Sequence, residues 1–167
     1  PKFIHAYINL GIVLSETLKF ELAEKCYKKV LKIDPNIPEA YNNLGLIYKF
    51  TGRIKEAELN YRIAIKLKND YAEAYRNLCD IKFFEKKDND FFSIKKLIDE
   101  KNLSNTQKSD LSFAIAKVYE DLRIFKEAFS YYKKGNTLRF KTNGFNINNE
   151  INLFDRIKSF YNEIEKN

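Results

Sequence analysis

Few residues in this sequence could do chemistry, and none stands where chemistry usually needs it. A single His (His5) lies near the start of the chain, and two Cys (Cys26 and Cys79) lie far apart. A Cys/His zinc site usually takes four ligands, so none can be assembled, and no metal or cofactor is expected. A catalytic triad would need His5 as its base, at a place where chain ends fray. The spacing of the two cysteines offers no disulfide framework and points to a reducing compartment, the cytoplasm. Both thiols fall at or beside helix-packing positions and read as inert buried groups. Acidic pairs such as Asp99-Glu100 and Glu120-Asp121 read as solvated helix surface. No glycine-rich phosphate loop and no Gly-x-Ser-x-Gly elbow occurs. The expectation is a chain without catalytic residues, not an enzyme.

The elements that carry these residues can be bounded from composition. At 167 residues the chain makes one ordinary domain. With 44% apolar and 32% charged residues it can bury a core. Five Gly and three Pro are few turn-formers, which disfavours a β-sandwich and favours long helices with short loops. The net charge of +7 invites a nucleic-acid reading. That excess is diffuse and carried by Lys far more than Arg, so no specific nucleic-acid partner is expected. No stretch approaches the ~20 apolar residues that span a bilayer, so no membrane partner is expected. No signal peptide opens the chain, and a start at Pro1 suggests a piece of something longer.

Self-comparison reveals the organisation. Ala6-Tyr7-Ile8-Asn9-Leu10-Gly11 aligns with Ala40-Tyr41-Asn42-Asn43-Leu44-Gly45 and then with Ala74-Tyr75-Arg76-Asn77-Leu78-Cys79, at one constant offset. Leu22-Ala23-Glu24-Lys25-Cys26-Tyr27 matches Glu56-Ala57-Glu58-Leu59-Asn60-Tyr61 at the same offset. A weaker copy follows as Ala116, Tyr119, Lys126-Glu127-Ala128 and Tyr132. Within a unit the apolar places recur at helical spacing in two stripes, Tyr41, Leu44, Ile47, Tyr48 and then Ile54, Ala57, Tyr61, Ala64, Ile65, with Gly52 between them. Each unit is therefore a helix–turn–helix pair. Small residues at Gly11, Gly45, Cys79, Ala23, Ala57 and Ala128 mark where paired helices approach most closely. Tyr7, Tyr41, Tyr75, Tyr27, Tyr61 and Tyr132 fall on the apolar stripes and are expected in the core rather than stacked on bases.

This unit resembles the tetratricopeptide repeat (TPR) in its residues Tyr41, Leu44, Gly45, Tyr48, Ala57, Tyr61 and Ala64, and Tyr7, Leu10, Gly11, Ala23, Tyr27, Val30 and Pro35 in the preceding copy. The resemblance implies an all-α fold, a right-handed superhelix (α-α solenoid). The expected units are about 4–37, 38–71, a degenerate 72–103 with a shortened second helix near 90–101, and 106–142. Ser104 and Gln107 form a capping-box pattern at the start of the last unit. Ile151, Phe154, Ile157, Phe160 and Ile164 suggest a C-terminal capping helix over 146–164, because a solenoid must cover the apolar side of its last repeat. Residues 72–160 also resemble the repeat segment that precedes the catalytic domain in bacterial TPR-linked sulfotransferases. By that resemblance the chain would be the non-catalytic repeat portion of such an enzyme, positioning an acceptor or mediating dimerisation.

The TPR resemblance implies a protein or peptide partner held in the concave groove. Asn9, Asn43 and Asn77 recur at the repeat offset, on the inner face of each first helix, where the fold itself asks for no polar residue. An Asn amide can pair with an extended peptide backbone through one acceptor and two donors. The expected contact residues are Asn9, Asn43 and Asn77, with Asn42 and Arg76 adding selectivity. The ladder resembles that in the repeat domain of O-linked N-acetylglucosamine transferase. TPR domains that hold a terminal carboxylate use Lys, Asn and Arg on successive inner helices. Here those places carry Ile8, Ile12, Asn43, Glu73 and Asn77, so terminal-carboxylate binding is not expected.

Overall fold

A computed structural model describes residues 2–100 and 102–142. Eight α-helices and no strand occur among them, in four successive pairs. These are α1 (Lys2–Glu16) with α2 (Phe20–Ile33), α3 (Pro38–Phe50) with α4 (Ile54–Leu67), α5 (Ala72–Ile81) with α6 (Asn89–Ile98), and α7 (Asn105–Asp121) with α8 (Phe125–Thr142). The arrangement is an α-α solenoid. The capping helix expected over 146–164 lies outside the described residues.

Local chemistry sets the helix ends. Pro38 opens α3, where its missing N–H costs nothing. Ser104 accepts from the Gln107 amide while the Gln107 side chain accepts from the Ser104 amide, so the capping box is present at α7. Asp88 Oδ1 accepts from the Phe91 amide and caps α6. The tight turns inside the first, second and fourth pairs each carry one left-handed residue: Leu18 (φ 59°), Gly52 (φ 77°) and Arg123 (φ 58°).

Packing within a pair depends on two glycines. A Cβ built on Gly11 would lie 2.6 Å from the Tyr27 ring, and one on Gly45 would lie 2.4 Å from the Tyr61 ring. Only glycine lets these rings lie against the first helix. Around them Ala23, Val30, Leu44, Ile47 and Leu78 close one core. A second core gathers Tyr75, Cys79, Phe84, Phe91, Ile94, Leu111, Ile115 and Val118. Of the tyrosines expected inside, Tyr27, Tyr61 and Tyr75 are buried; Tyr7, Tyr41 and Tyr132 are half-buried. Both thiols are buried and unpaired. Desolvation pushes Cys79 up to about 12, which keeps it protonated and inert.

The third pair departs from the others. After α5 the chain runs extended, and Phe84 drops into the second core. Lys82 pairs with Asp88 and Asp90, and Arg62 of α4 reaches Asp90 at 3.3 Å. These ion pairs fasten the irregular segment and the start of α6 to α4.

Candidate peptide groove

The first helices of the pairs, α1, α3, α5 and α7, succeed one another and line a groove with two adjoining cavities. The first holds about 370 Å³ and is mainly apolar: Ile12, Leu18, Phe20, Leu46, Ile47 and Phe50 line it, with Ser15, Glu16, Tyr27 and Asn43. Phe20 and Phe50 stack with ring centroids 5.9 Å apart. The second holds about 390 Å³ and is lined by Leu46, Lys49, Phe50, Arg76, Asn77, Asp80, Phe113, Lys117 and Tyr132. Leu46 and Phe50 belong to both, so the cavities adjoin across α3.

The sequence-predicted contact residues have different environments. Asn9 is exposed on α1. Asn43 is half-buried at the wall of the apolar cavity, with its side chain on the Tyr27 hydroxyl. Asn77 is buried, and its Nδ2 donates to Asn42 Oδ1 at 3.0 Å. Asn42 is fully buried and donates in turn to Glu73 Oε1 at 3.3 Å. Arg76 donates to Asp110 Oδ1 at 2.9 Å, and Arg139 donates to the same oxygen at 3.2 Å. The sequence reading that the fold asks for no polar residue at these places is corrected here for Asn77, whose bond to Asn42 ties α5 to α3.

Electrostatics sharpen the second cavity. Burial pushes the Asp110 carboxyl above its ordinary value, although Arg76 and Arg139 pull it down. Lys117 pairs with Asp121 along α7, and Lys49 of α3 pairs with Asp80 of α5. The Tyr132 hydroxyl donates to Glu120 Oε2 at 2.8 Å. None of the cations along this stretch of groove was singled out from sequence except Arg76. Their shared location depends on the stacking of α3, α5 and α7. Among the described residues no group of His, Cys, Asp and Glu side chains could hold a metal ion.

Stacked helix pairs with a groove on their first helices define a helical-repeat scaffold. TPR repeats are detected in the chain itself: a model described as TPR repeat matches residues 19–52, and one described as tetratricopeptide repeat matches 38–71. Solved structures share the fold. Pseudomonas aeruginosa pilF is 20% identical, covering 82% of this chain and 61% of that one, with a TM-score of 0.68. BtubC from P. vanneervenii is 17% identical over 86% of this chain and 65% of that one, with a TM-score of 0.62. MamA is 22% identical over 85% and 81%, with a TM-score of 0.59. The chain spans less than two thirds of the length of pilF and of BtubC. At these identities the likeness is one of fold. No curated protein matches the chain.

Proposed function

We propose that this chain is a protein-interaction module that holds an extended segment of a partner protein in the groove along α1, α3, α5 and α7. The observation that carries the reading is the adjoining pair of cavities, one apolar and one charged, on the first helices of successive repeats. A peptide main chain would pair with the amides of Asn9 and Asn43. Asn42 and Asn77 would act mainly by holding the groove in shape, since both are buried and hydrogen-bonded within the chain, and Arg76 would add selectivity. The chemistry is binding without turnover. Two buried thiols suit a reducing, cytoplasmic setting, and no described helix is long and apolar enough to cross a membrane.

The test is selection of a phage-displayed random-peptide library on the full chain. Enrichment is expected, and the double variant Asn9→Ala, Asn43→Ala should bind the enriched peptides roughly tenfold more weakly, as expected for losing main-chain hydrogen bonds. Circular dichroism of the variant should be unchanged. Absence of any enriched peptide would overturn the proposal.

A further inference from the structure

We propose that the groove is a two-part site for an internal peptide segment carrying a bulky apolar side chain, seated between Leu18 and Phe50, and an acidic side chain turned toward Arg76 and Lys117. The proposal rests on the peptide-binding reading above and names the kind of segment bound.

The first argument is Leu18. It holds a left-handed backbone (φ 59°) at the turn where the next unit has Gly52 (φ 77°). Glycine takes this conformation without penalty, whereas a Cβ makes it strained. Arg123 bears the same conformation in the fourth unit, but its side chain is long and polar. Leu18 is 73% exposed, so it stabilises no core in return for the strain. Its side chain instead forms part of the wall of the apolar cavity, which Phe50 also lines. An exposed Leu and an exposed Phe facing one cavity, backed by Ile12, Leu46 and Phe20, fit an apolar side chain entering from a partner.

Charge supplies the second argument. Four charged residues line the adjoining cavity: the cations Lys49, Arg76 and Lys117, and the carboxylate of Asp80. The carboxylates that pair with Arg76 and Lys117 are sunk behind them. The Asp110 and Asp121 side chains are 9% and 8% exposed, against 31% and 27% for their cations. Asp80 is 54% exposed and pairs with Lys49, 29% exposed. Three cations against one carboxylate give the lining of this cavity a net positive charge, while Glu16 is the charged residue at the apolar end. Complementarity places an acidic residue beside α5 and α7 and keeps it away from α1. Arg76 keeps unused guanidinium N–H groups for a carboxylate beyond its bond to Asp110.

The test uses C-terminally amidated synthetic peptides on a Gly-Ser background, each with one Leu or Phe and one Asp, Asn or Lys at every spacing on either side. Binding to the full chain is read by fluorescence anisotropy. Peptides with both the apolar residue and Asp, in one direction only, should bind best, and Lys should abolish the gain. Leu18→Gly should weaken that binding about tenfold through lost apolar contact, with a melting temperature unchanged or raised. Lys117→Gln should erase the preference for Asp over Asn. If peptides bind equally with Asp or Lys, or if Leu18→Gly binds as well as the parent, this inference fails while the peptide-binding reading stands. If no peptide of any composition binds, both fail.

Discussion

Asn77 turns its amide to Asn42 across 3.0 Å, and one repeat earlier the equivalent Asn43 faces the Tyr27 hydroxyl. By the repeat offset, Asn77 would have faced Tyr61. Instead the Tyr61 hydroxyl is buried with no hydrogen-bond partner. Burial pushes its acidity far from the ordinary phenol range, and nothing nearby hydrogen-bonds it back. Two tyrosines at one repeat position thus have opposite polar environments.

This difference predicts opposite responses to one substitution. Tyr61→Phe removes an unsatisfied buried hydroxyl and should leave stability unchanged or raise it by up to about 1 kcal/mol. Tyr27→Phe removes a hydroxyl that Ser15 and Asn43 approach, and should cost about 0.5–1.5 kcal/mol. Urea unfolding of the two variants measures the difference. Equal losses would refute the assignment.

Gly45 predicts a steric effect. A Cβ there would lie 2.4 Å from the Tyr61 ring, closer than any contact can stand, so α3 and α4 must move apart. Gly45→Ala should therefore cost about 1–3 kcal/mol despite the better helix propensity of Ala. The double variant Gly45→Ala, Tyr61→Leu should recover part of that loss, because the ring that collides is gone. A thermal melt of the single and double variants decides this.

Two carboxylates should tilt the pH dependence in opposite directions. Burial raises Asp90, but hydrogen bonds and charge from Lys82 and Arg62 outweigh it, and its pKa falls below the ordinary 3.8. A depressed folded pKa means stability that is present above 3.8 and lost as the pH drops through the folded value. For Asp110 burial wins and the pKa rises above 3.8. Its contribution is present below 3.8 and is lost as the pH climbs through the raised value. Asp90→Asn should flatten the acid limb of the stability–pH curve, and Asp110→Asn should steepen it. Urea unfolding from neutral pH downward reads both slopes, and the same change in both variants would contradict the sign assigned to one of them.

How far the sequence reached depends on what kind of contact each residue makes. Gly11, Gly45, Tyr27 and Tyr61 were readable as packing positions because the repeat demands the same helix approach in each unit, and the two glycines do lie under those rings. The role of Asn77 was not, because it lies in a hydrogen bond between units that does not follow the repeat. Arg76 was singled out as a selectivity residue. Its bond to Asp110 depends on the stacking of α5 against α7, which the third unit's irregular second half obscured in the sequence. Phe84 gave no periodic signal, since it follows the end of α5, and yet it is 1% exposed. The resemblance of 72–160 to sulfotransferase-linked repeats falls beyond the family matches, which end at residue 71.

The final prediction concerns the motif leucine, which is one chemical group in three copies. Leu44 and Leu78 are 3% and 0% exposed, because the second helix of the preceding unit covers them: α2 packs on α3, and α4 on α5. Leu10 holds the same place on α1 and is 48% exposed, as no described helix lies on that side. A substitution scan should therefore separate the energy of the motif from the energy of stacking. Leu44→Ala and Leu78→Ala remove a buried side chain and leave a cavity, at a cost of about 2–5 kcal/mol each. Leu10→Ala removes a half-exposed side chain, and its cost should stay below about 1 kcal/mol. The hydrophilic change Leu10→Gln should also be tolerated, whereas Leu78→Gln should abolish cooperative unfolding, because an amide there would be buried without a partner. The measurement is urea unfolding of all five variants by circular dichroism. A Leu10→Ala loss as large as that of Leu78→Ala would mean that the outer face of α1 is covered in solution.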